Sequence, residues 1–593
     1  MAVGEDNMDL DTAPNGPKEA DSTATDSTSN RTAVTENGIT IKQPDNKKAP
    51  GKHNPKLSIF REVALATAHA YAKDHVQRQL AMVPSDDAEN GRRQYFACDL
   101  ITQSGIAGLQ WKRHIGEDIH VTAVEQRDSK QLQDNIKSNG ITSSTLPQDP
   151  KRPAGMMLPQ QGPSQIHLAE CDPSALMLLE AFDFVYVDPH KNPSPYFSTL
   201  FRNVRNNGVV CIVVPDTMQF ARSPHVVRRY FGANCIKTGY MKELAVRIIL
   251  AALATEAARC NKGMTVLYSI TMEDFLLLCV RMVRGPKLAD ATLQNIGHVL
   301  HCRICEERVF YPEVIAPIED PYSLIQCDCQ KNIPGKTGVV LGPLWKGRIF
   351  EYPCLTKLAA SGKALNLTHA FFVLLQRVME DCVCDTPPSL VSLKQGLSEE
   401  LALVVNSTNG ESSKTEEDKG LRSGENDFSV KKKSLQEGSK DNDCAVSSKI
   451  GDGDVSQRES QLPDASETTV SDSGDIASVD ADCAENGGVK RSAPESEVDI
   501  SPRKLKRLKS INEPAPCFFY NVHSKRLGKE HLPKQQAIIE RLRAHGYRCC
   551  RTHFEKYAIR TSANLKTLTA LLGTGESKVL YVKGNQAETL TAR

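Results

Sequence analysis

Four acidic side chains stand where apolar runs of this chain end: Asp99 after YFAC, Glu125 after IHVTAV, Asp172 after IHLAEC and Asp188 after FDFVYV. Alternating and branched apolar residues from Phe182 to Val187 suit a buried strand, so Asp188 falls where the strand's carboxyl end opens into a loop. In open α/β sheets that edge is where ligands bind. Asp188-Pro189 taken alone also reads as an ordinary turn start. The other three acids shift that reading. The first run leads into Gly105 and Gly108 before a helix-like segment, and small residues at such a turn let backbone approach a ligand closely. Glu125, at the end of the second run, is placed to take two hydrogen bonds from ribose hydroxyls. With Asp172 after a third strand and Asp188 after a fourth, the series forms an ordered nucleoside-binding pattern.

A second constellation is built from sulfur. VLHCRICEERVF and LIQCDCQKNIPGK carry Cys302, Cys305, Cys327 and Cys329, a C-x-x-C pair followed by a C-x-C pair. Four thiolates at these spacings can converge tetrahedrally on a structural zinc ion, with His301 as a substitute ligand; buried, unligated thiols are the competing reading. Cys382 and Cys384 have no clear partner pair and read as ordinary cysteines.

The elements that must position these groups follow from patterning. The chain has 593 residues, 40% of them hydrophobic, enough for more than one domain. Lys and Arg total 73 against 72 for Asp and Glu, so a nucleic-acid surface has to come from local clustering rather than net charge. The amino terminus lacks a basic and apolar leader, and no apolar span is long enough for a bilayer, so a soluble intracellular protein with no membrane partner is expected. Residues 1–50 are polar and predict a disordered tail. Residues 51–290 alternate apolar strands with amphipathic segments, the pattern of an α/β sheet. Residues 291–385 carry the zinc motif, 386–513 read as a solvated linker, and 514–593 form the remainder of a smaller α+β carboxyl-terminal region. Within the linker, Lys490-Arg491 and the cluster Arg503, Lys504, Lys506, Arg507 and Lys509 fit a bipartite nuclear import signal, which predicts a nuclear protein with some cytoplasmic population.

NPKLSIFREVALA, SGIAGLQWKRHIG, FDFVYVDP, FRNVRNNGVVCIVVPDT, YMKELAVRIILAALATEAARCNKG, GKTGVVLGPLW and YRCCRTHF together resemble the tRNA (guanine-N2)-dimethyltransferase family, particularly its animal paralogues. The resemblance covers roughly residues 54–385 and 514–566. It implies a Rossmann-like fold that uses S-adenosylmethionine, with tRNA as the partner and the exocyclic N2 amine of a guanosine, at position 26 or a neighbour, as the acceptor. It assigns Arg61, Asp99, Gly105, Glu125 and Asp172 to the cofactor, Asp188, Pro189 and His190 to catalysis, and Asp216 and Glu243 to the substrate side. The guanine amine is a weak nucleophile; a carboxylate and a neighbouring carbonyl that accept its N–H bonds turn its lone pair toward an electrophile and remove the released proton. The target nucleotide must leave its stack. RNA contact is expected from Arg228, Arg229, Lys242, Arg247, Arg259 and Lys262, and from Lys525, Arg526, Lys529, Lys534, Arg541, Arg543, Arg548 and Arg551 beside Phe518, Phe519, Tyr520, Tyr547 and Phe554. For Glu243 and Arg247, an i, i+4 helix ion pair is the plainer reading.

The chain departs from the family pattern at four places, one of them conservative: Glu125 stands where the family has an Asp after the second strand. His190 and Lys191 replace an aromatic residue and a glycine, Phe60 precedes Arg61 in place of Asn, and Gln103-Ser104-Gly105 replaces Ala-Thr-Gly. These departures set a second reading beside the enzyme, a tRNA-binding paralogue acting as a scaffold or folding aid. The oligomeric state is open and a monomer is assumed.

Overall fold

The computed structural model describes residues 33–43, 53–81, 93–145 and 161–385, apart from 103, 127–128, 190, 218, 312–320, 326, 333–334 and 336, and also residues 518–522, 533–572, 581–583 and 586–588. These residues belong to one compact unit.

The first element corrects the expectation of a tail over residues 1–50. Strands β1 (Ala33–Glu36) and β2 (Ile39–Lys42) pair as an antiparallel hairpin. The local sequence is polar, but Ile39 and Ile41 are fully buried and secure it. Its backbone is also held from afar: Thr40 N–H donates to Asn139 Oδ1 at 2.8 Å and Lys42 N–H to Asn135 Oδ1 at 2.9 Å.

The central sheet contains β3 (Tyr95–Asp99), β4 (Ile119–Val124), β5 (Thr142–Thr145), β6 (Gln165–Ala169), β7 (Phe184–Val187), β8 (Val209–Val214), β9 (Lys262–Met272) and β10 (Phe275–Arg284), in the order β5-β6-β4-β3-β7-β8-β10-β9. From β5 to β8 the pairs are parallel, while β10 runs antiparallel to β8 and β9. Strands β3, β4, β7 and β8 are buried at every position, as near-continuous apolar runs covered on both faces must be. The chain steps from β3 outward through β4 to β6, then returns to the other side of β3 as β7. The switch point therefore lies beside β3, and the crevice outside its carboxyl end is where such folds bind ligands.

Two helices cover the sheet, Ser58–Leu80 and Met241–Arg259; the first is buried without a break from Phe60 to Ala72 and the second through most of its length, and their Ala- and Leu-rich stretches favour helix. A second sheet follows, β11 (Ile296–Cys302), β12 (Arg308–Phe310) and β13 (Gly338–Trp345), in the order β12-β11-β13. A third, β14 (Phe519–Asn521), β15 (Cys549–Arg551) and β16 (Ala558–Thr561), is ordered β14-β16-β15. The third sheet is no separate body: Phe518, Phe519, Phe554 and Ala558 join the same apolar core as β3 and β8.

Candidate active site

A cleft of about 650 Å³ opens at the carboxyl ends of β3, β7 and β8. Its walls include Arg61 from the first long helix, Asp99 and Thr102 after β3, Ser104 and Ile106 at the glycine turn, Tyr186, Asp188 and Pro189 at the end of β7, and Asp216 beyond β8.

The turn after β3 is built around a left-handed glycine that is not itself among the residues lining the cleft. Gly105 has φ +77° and forms the amino-terminal cap of helix Ile106–Ile115; a Cβ there would lie 2.3 Å from Leu132 Cδ1, so any side chain would be both strained and obstructed. Three residues on, Gly108 N–H donates to Asp99 Oδ2 at 3.2 Å. Asp99 is 3% exposed. Burial pushes its carboxyl up to about 7; bonds from Thr102 and Gly108 oppose the rise, and the charges of Asp188 and Glu125 add to it.

Asp188 directly follows β7 and is half-buried, and its charge is felt by Arg61, Tyr186 and Asp99. Pro189 is buried beside it. His190 lies outside the described residues, and Lys191 is exposed. Asp216 has φ +55° and receives Arg222 Nη2 on both oxygens, at 2.5 and 2.6 Å. Arg61 is buried against Glu36, with Nε to Oε1 at 2.7 Å and Nη2 to Oε2 at 2.6 Å.

Sequence reasoning passed over Tyr186 as a strand residue. It is 1% exposed, lines the cleft, and its hydroxyl finds no hydrogen-bond partner among the described residues. A buried phenol facing a cleft is a place for a ligand's polar atom. A tyrosine, with its polar hydroxyl, within an otherwise apolar strand is the signal that could have found it.

Glu125 and Asp172 stand at their strand ends but outside the cleft lining. Asp172 instead caps helix Pro173–Leu179, accepting from Ser174 N–H at 2.8 Å and Ala175 N–H at 3.1 Å, and takes Gln126 Nε2 at 3.0 Å. Glu243 is not at the cleft either. It is fully buried, takes Arg247 at 2.8 Å and Arg560 at 3.1 Å, and accepts Phe519 N–H at 3.2 Å. The helix ion pair is present, and a second arginine from β16 completes it.

The four cysteines do converge: one sulfur from each of Cys302, Cys305, Cys327 and Cys329 lies within 4.8 Å of all the others. His301 is turned away to Tyr240, Nδ1 to hydroxyl at 2.8 Å. The basic residues divide. Arg228, Arg229, Lys534, Arg541, Arg543 and Arg551 are exposed, as RNA contacts would be, and Lys525, Arg526 and Lys529 lie outside the described residues. Arg247 and Lys262 are not surface groups: Arg247 is fully buried on Glu243, and the Lys262 ammonium is buried on the carbonyls of Phe201, Arg202 and Val204. Phe518, Phe519 and Phe554 are core residues rather than stacking platforms. Among the described residues, no helix is long and apolar enough to cross a membrane.

A parallel sheet with an antiparallel carboxyl-terminal hairpin, and a glycine turn and acidic strand ends around one cleft, define a Rossmann-like methyltransferase fold. The sequence signature of the N2,N2-dimethylguanosine tRNA methyltransferases matches residues 31–406, and the chain belongs to that family. It is 28% identical over 524 residues to the tRNA (guanine(27)-N(2))-dimethyltransferase of Bos taurus, covering 88% of this chain and 59% of the relative. The Homo sapiens protein of the same name is 26% identical over 555 residues, 91% of this chain and 63% of the relative. The tRNA (guanine(26)-N(2))-dimethyltransferase of Methanosphaera stadtmanae is 25% identical over 351 residues, 57% of this chain and 77% of the relative. The chain thus spans about three fifths of the length of these animal relatives. Trm1 from Pyrococcus horikoshii, solved with S-adenosyl-L-methionine, shares the fold with a TM-score of 0.53 at 14% identity, over 91% of this chain and 99% of that one.

Proposed function

We propose that this chain methylates the N2 amine of a guanosine in tRNA, at position 26 or a neighbour such as 27, using S-adenosylmethionine. The observation that carries the reading is Asp188, held by β7 at the mouth of a cleft in a chain of this family. The cofactor's fit rests on the cleft lining: Ser104 and Ile106 at the glycine turn, the buried Tyr186 hydroxyl, which has no hydrogen-bond partner among the described residues, and the Arg61 guanidinium. Bound S-adenosylmethionine supplies an electrophilic methyl group. The protein does the rest by position: Asp188 and the Pro189 carbonyl accept the amine's N–H bonds, orient its lone pair and draw off its proton, while the cleft excludes water. Exposed Arg side chains of the helices Pro224–Phe231 and Gln535–Ala544, with Lys534 just before the second, are the groups available to tRNA phosphates.

The test is tRNA from cells lacking the protein, rescued with wild type or Asp188→Asn and analysed by mass spectrometry for N2-methylated guanosine. Asp188→Asn should retain tRNA affinity and lose about a hundredfold or more in transfer, the scale of a removed general base. Equal restoration by both would sink the role given to Asp188, and no restoration by either would favour the scaffold.

The cysteine cluster fits a closed structural zinc site, since four mutually close thiolates supply a complete tetrahedral shell. Cys302→Ser should release about one zinc per chain, read by elemental analysis, and lower the unfolding midpoint. Wild-type protein free of zinc would end this part of the reading. The basic clusters at 490–509, outside the described residues, support a nuclear location with some cytoplasmic population.

A further inference from the structure

Arg61 is a cation 4% exposed to solvent, and an arginine that deep needs a counter-charge. The counter-charge comes from outside the Rossmann-like core. Glu36, the last residue of β1, offers both carboxylate oxygens to Nε and Nη2 of Arg61, and His53 Nε2 lies 2.8 Å from the same carboxylate and 3.0 Å from Arg61 Nη2. Gln110 Nε2 donates to Glu36 Oε1 at 3.0 Å, so each oxygen has two partners and the carboxylate cannot swing away. Burial alone would raise the Glu36 carboxyl, but the bonds from Arg61 and His53 outweigh it and hold it well below the usual carboxylate range. These contacts use Nε and Nη2 of Arg61; Nη1 takes no part in them.

The hairpin reaches the cleft by a second route. Asn135 accepts Lys42 N–H from β2 at 2.9 Å and donates its own amide to the Ser104 carbonyl at 2.9 Å, one residue before Gly105. One short hairpin thus braces both the buried cation and the glycine turn of the same cleft. Asp188 lines the same cleft as Arg61, and its charge acts on the guanidinium. An Arg61 released from Glu36 would be drawn toward the carboxylate assigned to the guanine amine.

We propose that Glu36 is a positioning residue of the cofactor site: it fixes Arg61 so that the guanidinium meets the amino-acid carboxylate of S-adenosylmethionine instead of collapsing onto Asp188. The proposal rests on the reading of the cleft as a cofactor site. It makes the amino-terminal hairpin part of the binding machinery.

The test is a double-mutant cycle on the full-length chain, reading S-adenosylmethionine affinity by calorimetry and tRNA affinity by gel shift. Glu36→Gln should weaken S-adenosylmethionine binding about tenfold with tRNA affinity unchanged, and Arg61→Ala should weaken it at least as much. If Glu36 acts through Arg61, the double variant binds no more weakly than Arg61→Ala alone. Additive losses, or unchanged binding by Glu36→Gln, would overturn the proposal. Should Glu36→Gln not fold, Glu36→Asp, which keeps the charge and retracts it by one methylene, runs the same cycle with a smaller first step and the same non-additivity. Wild type that binds no S-adenosylmethionine would overturn the functional reading and this inference together; wild type that binds it, with additive variants, would overturn the inference alone.

Discussion

Two buried arginines of this protein hold carboxylates in the same way and to different ends. Arg61 grips Glu36, 25 residues away, on the wall of the cleft, with one side of the pair opening onto ligand space. Arg560, on β16, is fully buried between Glu243, 317 residues earlier, and Asp381, 179 residues earlier; Asp381 also receives Thr552 at 2.7 Å and His553 at 2.8 Å. The chemistry is shared and the surroundings are not. A charge network closed on every side pins elements together, whereas one with an open side is a site. The same contrast separates two buried aspartates. Asp99 has hydrogen bonds but no ion pair among the described residues, and burial pushes it up to about 7. Burial would raise Asp381 too, but Arg560 and His553 outweigh it and bring the carboxyl down to about 2.

The largest effect should come from opening the closed network. Arg560→Leu strands Glu243 and Asp381 without their common cation and should cost about 3–5 kcal/mol in chemical denaturation, the scale of a broken buried pair. The folded fraction should bind S-adenosylmethionine normally. A loss of cofactor affinity at unchanged stability would erase the distinction between the two arginines.

A second experiment turns the aspartates against each other through pH. Asp381, depressed in the native state, contributes stability that is complete above its unfolded pKa of about 3.9 and is lost as pH falls toward about 2. Asp99, raised in the native state, has the opposite sign: its contribution is intact below about 3.9 and drains away as pH rises through about 7. Without cofactor, Asp99→Asn should match wild type near pH 4 and gain on it steadily up to about pH 7, where the difference levels off at about 4 kcal/mol. A difference that stays flat across that range would show that Asp99 is not a buried, cation-free acid.

The smallest predicted effect serves as a control. Thr368 caps helix His369–Cys384, which carries Asp381 near its far end, and its hydroxyl also donates to Glu62 at 2.8 Å. Thr368→Ala should cost about 1 kcal/mol, as lost caps do, without changing the pH profile set by Asp381. A cost as large as that of Arg560→Leu would make the helix start, rather than the ion network, the point that holds this region.

The cleft is legible in the sequence to the extent that parallel strands write themselves as apolar runs. Asp99, Glu125, Asp172 and Asp188 each stand at or just past the end of such a run, and the glycine turn announces itself by residue type. Which of the four faces ligand is not legible, because helix capping and ligand binding draw on the same carboxylate: Asp172 spends its own on Ser174 and Ala175. The hairpin is hidden for a different reason. AVTE and ITIK flank a local turn signal, Asn37-Gly38, but they are only four residues each within a polar stretch, and their anchors, Asn135 and Asn139, lie more than 90 residues downstream. The same distance hides the role of Glu243, whose first partner is one helical turn away and whose second is on another sheet. The cysteine cluster is legible because four thiols in two short motifs need little chain between them to converge. Cys384 reads as ordinary and is buried against the Arg560 carbonyl, at the edge of the same network.

The 317 residues between Glu243 and Arg560 also set an order of assembly during synthesis. At about 5–20 residues per second, helix Met241–Arg259 waits roughly 15–60 s after it is made before its second arginine exists. Through that interval Glu243 has Arg247 alone, and the core positions later taken by Phe518, Phe519 and Phe554 are uncovered. The nascent chain therefore presents an apolar, acid-lined seam to chaperones for as long as translation of the intervening stretch takes. A ribosome stalled within that stretch leaves a product with its cleft largely built and its body unsealed.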